Sequence, residues 1–273
     1  MDILRYALTL EHLEDKFYRE GLANFTQADF AAAGYDATFY QNMQAISAHE
    51  TAHVRFLTTA LQAAGYAPTQ ECTYAFGITS VAAFVATASV LEGVGTSAYL
   101  GATAQVANKA YLTAAGSILT VEARHNAYLR AAMNRSPFPQ SQDDPLTPDE
   151  VHTMAHGFIT SCPSANPPFP VKALPGIGVT TTGPIAPGQL ISVQTSGVAL
   201  APSDKNAKLW AAFVTAAGPV FAELAAQGDG VHFQVTVPAS GVLGQSYLLL
   251  TNCNTTVTDN TVVADPTYLE VSR

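Results

Sequence analysis

The pattern of hydrophobic residues predicts a multidomain α + β chain, with an N-terminal four-helix bundle carrying an extra short helix and a C-terminal antiparallel β-sandwich. Three observations carry that expectation. Apolar residues recur near a 3.6-residue period through the first ~160 residues. A proline-dense stretch follows, and the remainder breaks into short β-type runs between Gly, Pro and Asn turns. The expected division is 1–163 for the bundle, 164–176 for a proline-rich linker and 177–273 for the sandwich.

Residues 2–24 open the bundle, with Ile3, Leu4, Ala7, Leu8, Leu10, Leu13, Phe17 and Leu22 near helical spacing. A second helix is expected over 36–65, with Asp36 as its N-cap and Gly65 as its stop. Residues 79–107, rich in Ala, Val, Thr and Gly, suit a buried third helix, and residues 109–134 a fourth. Thr147-Pro148-Asp149-Glu150 reads as a capping box with proline at the first helical position. It opens the short fifth helix, expected to run to about Thr160.

The connections set the topology. Residues 66–78 can extend about 40 Å, the length of a helix of about 26 residues, so the second and third helices can run parallel. The joint near Asn108 is short and makes the third and fourth helices antiparallel. Residues 25–35 allow an antiparallel turn as well, with a short helix suggested at Thr26–Asp29. Two antiparallel pairs with one long crossover is an established four-helix topology. Pro167, Pro168, Pro170 and Pro175 then exclude helix. Strands are expected at Leu190–Thr195, Leu209–Thr215, Val220–Leu224, Val231–Val237, Tyr247–Asn252 and Tyr268–Val271. Leu209–Thr215 is also compatible with helix.

Composition narrows the function. The chain has 273 residues, 48% of them hydrophobic, which is enough for a sizeable core. Charged residues are 12%, against ~25% in ordinary soluble proteins. With 12 Lys and Arg, a net charge of −9 and no basic stripe, the sequence argues against nucleic acid as a partner. No signal-peptide pattern opens the sequence, so it reads as cytoplasmic or as a segment with its leader trimmed. Sequons begin at Asn24, Asn134 and Asn254. Cys72, Cys162 and Cys253 lack metal-type spacing. A Cys72–Cys162 disulfide is the preferred pairing. Together these features lean towards an extracellular protein, with the cytoplasm as the alternative.

Scarce charge makes Glu92 conspicuous: it is the only charged residue between Glu71 and Lys109. A buried carboxylate must be protonated, paired or bound to metal. The same central glutamate, with the many Thr, Ser and Gly around it, argues against a membrane span. Partners stand on the other helices. Glu50-Thr-Ala-His53 and Glu122-Ala-Arg-His125 each place a carboxylate and an imidazole on one helix face. Ten Glu and seven His scattered at random give only about 0.3 such pairs. The first helix supplies Glu11, with Glu14 one turn on. Tyr18 follows Glu11 by seven residues and Tyr99 follows Glu92 by seven, two helical turns in each case. The result is a repeat of two helix pairs, bringing four carboxylates and two imidazoles to one point, a donor set suited to Fe or Mn.

Glu11, Glu50 with His53, Glu92, and Glu122 with His125 resemble the ligand set of ferritin-like di-iron and di-manganese carboxylate proteins. The stretches Leu10–Tyr18, Ala48–His53 and Thr120–His125 are more narrowly similar to the fungal and plant desiccation-related ferritin-like family, itself similar to rubrerythrins and manganese catalases. The resemblance covers 1–163. It implies two Fe or two Mn ions, with Glu50 and Glu122 bridging or capping them. His53 and His125 would be one terminal ligand each, and Glu11 and Glu92 would complete the set. Tyr18 and Tyr99 are either groups that orient carboxylates or ordinary core residues. Glu14 is either a fifth carboxylate at the site or a solvated residue, the latter being preferred. His49 lies behind a ligand or is a satisfied helix residue.

The resemblance implies a dinuclear oxidoreductase turning over H2O2 or O2, most concretely by catalase-like disproportionation. The alternative is a non-enzymatic stress or surface protein that sequesters metal, its β domain binding a cell-wall or protein partner. Ferritin-style storage is a weaker variant, and self-association into a homo-oligomer is left open. His49-Glu50-Thr-Ala-His53 also spells the H-E-x-x-H zinc-peptidase string. That reading leaves Glu92 and the second Glu-x-x-His unexplained, and Val54-Arg55-Phe56 lacks the metzincin Gly and His. His12 points about 100° from Glu11. His152 and His156 read as surface residues, and His232 as an isolated strand residue.

Overall fold

The computed structural model describes residues 2–168, 171, 174–200 and 208–273. Its contacts gather into two units, Met1–Pro137 with Ala155–Pro170, and Phe138–Met154 with Val171–Arg273. Pro170, one of the four prolines of the expected linker, lies outside the described residues.

The first unit holds α1 (Asp2–Asn24), α2 (Gln27–Ala32), α3 (Ala37–Ala63), α4 (Val81–Ala102) and α5 (Lys109–Ala132). Short polar side chains start them. Thr26 and Asp29 form a capping box for α2, Asp36 accepts from the Phe39 amide at 2.8 Å, and Ser80 and Asn108 cap α4 and α5. Gly65, at φ 78°, supplies the left-handed turn past the end of α3. The third helix is shorter than 79–107 because it tightens into a 3-10 turn at Thr103–Gln105. α1 packs chiefly on α3, and α4 on α5. Leu13, Phe17, Met43, Phe84 and Leu129 belong to the core between them.

The crossover from α3 to α4 is tied to α1. Arg19 bonds Asp15 at 2.9 Å and Glu71 at 2.5 Å, and Lys16 reaches Glu71 at 3.6 Å. Further along, β1 (Thr73–Tyr74) pairs with β2 (Ile159–Ser161), and a disulfide joins Cys72 to Cys162. The fifth helix therefore stops short of Thr160. Gly157 follows its last turn, and β-branched Ile159 and Thr160 enter β2 instead.

α6 (Pro148–His156), of which Pro148–Met154 belong to the second unit, opens on its capping box, the Thr147 amide donating to Glu150 at 2.7 Å. Two four-stranded antiparallel sheets follow. One runs in the order β3 (Ile177–Val179), β4 (Leu190–Thr195), β8 (His232–Thr236), β7 (Ala225–Ala226). The other runs β10 (Val262–Val271), β9 (Gly244–Thr251), β5 (Trp210–Phe213), β6 (Val220–Glu223). Alternation sends Ile191, Val193, Phe233 and Val235 from one sheet, and Ala211, Phe213, Leu248 and Leu250 from the other, into a shared core. The segment around Leu209–Thr215, ambiguous in sequence, contains the strand β5, whose residues Trp210–Phe213 pair on both sides with β6 and β9.

Candidate metal centre

Glu11 on α1, Glu50 and His53 on α3, Glu92 on α4, and Glu122 and His125 on α5 meet in the middle of the bundle. All four carboxylates are at most 1% exposed. α4 comes close enough because position 95 is glycine. A Cβ there would sit 2.7 Å from Glu122 Oε2 and 3.1 Å from Glu14 Oε1.

The donors form two overlapping sets. Glu11, Glu50, His53 and Glu122 each offer a ligand atom within 4.8 Å of the others, and so do Glu50, Glu92, Glu122 and His125. Glu50 and Glu122 belong to both. His53 Nδ1 lies 3.1 Å from Glu50 Oε2, 3.2 Å from Glu11 Oε2 and 3.3 Å from Glu122 Oε1. His125 Nδ1 lies 3.0 Å from Glu92 Oε2 and 3.3 Å from Glu50 Oε1. One ring nitrogen carries one proton or one lone pair, so it cannot hydrogen-bond three oxygens.

The tyrosines cross between the repeats. Tyr18 follows Glu11 in sequence but donates to Glu92 Oε1 at 2.5 Å, while Tyr99 follows Glu92 and donates to Glu11 Oε1. Each hydroxyl thus fixes the carboxylate of the other helix pair. His49 is exposed. Its Nδ1 lies 3.0 Å from His125 Nε2, with the rings stacked at 5.2 Å. It does not join His53 in a zinc-type pair, because its ring faces His125 and Glu50 itself belongs to the cluster.

Glu14 corrects the expectation of a solvated residue. It is 5% exposed, since α1 turns its second acidic position into the core beside Glu122 and Gly95. Burial, then repulsion from Glu122, Glu50, Glu92 and Glu11, holds its pKa well above the ordinary carboxylate value. Burial and neighbouring carboxylates raise Glu50 and Glu122 in the same way. Glu92 is pushed up to about 7, mainly by burial, against the opposing hydrogen bond from Tyr18. Burial alone lowers His53, but its contacts with Glu11, Glu122 and Glu50 outweigh that and raise it above the usual imidazole range.

This donor set fits a bound metal cation. Glu11 Oε2, Glu50 Oε1 and both oxygens of Glu122 are buried without a hydrogen-bond partner, a costly arrangement for carboxylates. Two divalent ions would balance four carboxylates, and mixed oxygen and imidazole donors suit Fe or Mn.

The remaining candidates fall elsewhere. His12 bonds the Thr69 carbonyl at 3.0 Å, away from the cluster. His232 bonds Asp229 at 2.6 Å on the second unit. Asn24, Asn134 and Asn254 are all exposed. Val81–Gln105 is long and apolar enough to cross a membrane, but it is mostly buried as the bundle's core helix. Glu14 takes the other of the two places its sequence position allowed, and Gly95 carried no signal in sequence. A helical glycine looks the same whether or not a side chain presses on it.

Residues 1–135 match the family of ferritin-like domains. Protein rds1 of Schizosaccharomyces pombe is 25% identical over 163 residues, a match covering 60% of this chain and 40% of that protein. The chain therefore spans less than half the length of that relative. The crystal structure of the Lin-41 filamin domain, 16% identical, aligns with 36% of this chain and 92% of its own at a TM-score of 0.23.

Proposed function

We propose that the chain, whose residues 1–135 match the family of ferritin-like domains, is a dinuclear Fe or Mn carboxylate protein acting on peroxide or dioxygen. Its most concrete reaction is the conversion of two H2O2 into two H2O and O2. The observation that carries this reading is the pair of four-donor sets sharing Glu50 and Glu122. Two redox metals held side by side supply two-electron exchange with a dioxygen species.

The chain's own residues prepare the place. Glu50 and Glu122 would bridge, Glu11 with His53 and Glu92 with His125 would complete one position each, and Tyr18 and Tyr99 hold Glu92 and Glu11 in fixed orientations. Glu14 lies beside the ligand carboxylates, where burial and then their repulsion raise its pKa and favour its neutral form. His49, stacked on His125, orients that ring from the solvent side.

Elemental analysis of the purified protein, paired with O2 release from H2O2, tests the reading. About two Mn or Fe per chain with rapid O2 release is the expected result. A single Zn per chain, or no metal after reconstitution, overturns it.

A second reading keeps the metals without turnover: a secreted protein that sequesters metal while its sandwich unit binds a surface. The Cys72–Cys162 disulfide and the exposed sequon asparagines favour an oxidising compartment. Two bound ions with no O2 release would select it.

A further inference from the structure

The bundle contains a cavity at one end, with about 40 Å³ of internal space. Its walls are the parts of the four long helices that lie on the same axial side of the carboxylate cluster. Ile3 to Leu10 precede Glu11 on α1, and Phe56 to Ala60 follow His53 on α3. Ala98 to Ala102 follow Glu92 on α4, and Tyr111 to Ala115 precede Glu122 on α5. Among the described residues no charged side chain lines it, and its only side-chain polar atoms are the hydroxyls of Tyr6, Tyr99 and Tyr111. Tyr99 belongs to both places, since it lines the cavity and donates to Glu11. Phe56, 47% exposed, marks the outer rim.

The chemistry of the walls selects the occupant. An ordered water needs two to four polar partners, and this lining is almost wholly apolar, with the Tyr99 hydroxyl already donating to Glu11. A charged ligand finds no counter-ion. The space holds roughly three water-sized groups at ~10–15 Å³ each, the size of a short alkyl segment.

We propose that this cavity is a binding site for an unbranched alkyl chain, which enters past Phe56 and ends against Tyr99. The site places an apolar molecule one side chain away from the carboxylate cluster. It goes beyond the peroxide reading and stands whether or not the cluster holds metal.

Calorimetric titration of the purified, metal-loaded protein with the straight-chain alcohols from 1-butanol to 1-octanol tests it. Saturable one-to-one binding is expected, tightening about fourfold per added methylene until the space is filled. Ala60→Phe and Ala115→Phe place a ring in the lining from half-buried positions outside the cluster. Each should weaken 1-hexanol binding at least tenfold with metal content and melting temperature unchanged. Crystals soaked in 1-bromobutane should show the bromine anomalous signal between the four helices, a readout independent of either variant. No saturable binding by any alcohol, undiminished affinity in both variants, or a bromine site elsewhere overturns the proposal. Metal content measured in the same samples keeps this outcome separate from the fate of the dinuclear reading.

Discussion

Tyr18 and Tyr99 hold equivalent places in the two helix pairs, each donating to the glutamate of the other pair, yet their surroundings differ. Tyr18 is fully buried and packed edge-on against Phe17 and Phe84, with ring centroids at 5.5 and 6.0 Å. Tyr99 borders the apolar cavity. The imidazoles differ too, because His125 is backed by the exposed ring of His49. The internal repeat supplies matching donors, and the neighbours decide what each half can reach. One half is sealed by aromatics and has a polar outlet through His49; the other opens on an apolar space.

The strongest way to break the comparison is to remove a group both halves share. Glu122→Ala takes a carboxylate from both donor sets, so on the dinuclear proposal bound metal should fall from about two ions per chain to none by elemental analysis. Retention of two ions would refute the bridging role.

Gly95→Ala should come next. The new Cβ meets Glu122 Oε2 at 2.7 Å, and either the carboxylate or the helix must give way. Metal affinity is expected to drop about ten- to a hundredfold, as when a group behind a ligand is disturbed. Gly116→Ala on α5 is the control, since nothing lies within 4 Å of its added Cβ. It should bind metal normally and gain up to about 1 kcal/mol in helix propensity.

Removing one hydroxyl separates the halves. Tyr18→Phe and Tyr99→Phe each leave a carboxylate without its donor, and each should weaken metal binding by about tenfold or more. Only Tyr99→Phe should also alter alcohol binding, because only Tyr99 lines the cavity. Equal effects of both variants on alcohol binding would erase the distinction between the halves.

The smallest expected effect is on the pH dependence of the metal-stripped protein. The folded chain keeps protons on Glu14, Glu50, Glu92 and Glu122 that the unfolded chain loses near the ordinary glutamate value of 4.5. The stability this gives is fully present below that value and is lost as pH rises through the folded values, about 7 for Glu92. The raised His53 acts in the same direction above the ordinary imidazole value of 6.5. The melting temperature should therefore fall between pH 5 and pH 8, and added Mn2+ should recover more of it at pH 8. A melting temperature that rises over this range would contradict the burial of protonated glutamates.

Much of the cluster is legible in sequence, for a local reason. A glutamate and a histidine three residues apart share a helix face wherever the helix goes, so Glu50 with His53 and Glu122 with His125 can be read without knowing their neighbours. The same holds for Leu190–Thr195, where strict alternation marks a half-buried strand. The two-residue strand Thr73–Tyr74 is too short to show a period, and it exists only because Ile159–Ser161 lies beside it. Glu14 looked solvated because charge on a first helix usually is, and only the neighbouring α4 and α5 make that position interior.

The residue types and their helical spacing alone determined that a carboxylate and imidazole cluster forms in a bundle, because periodicity is a property of one helix at a time. Which tyrosine holds which glutamate, why position 95 is glycine, and that one half of the cluster borders an apolar space were decided only by tertiary structure. Each of these depends on a distance between different helices, and spacing along one helix carries no information about the approach of another.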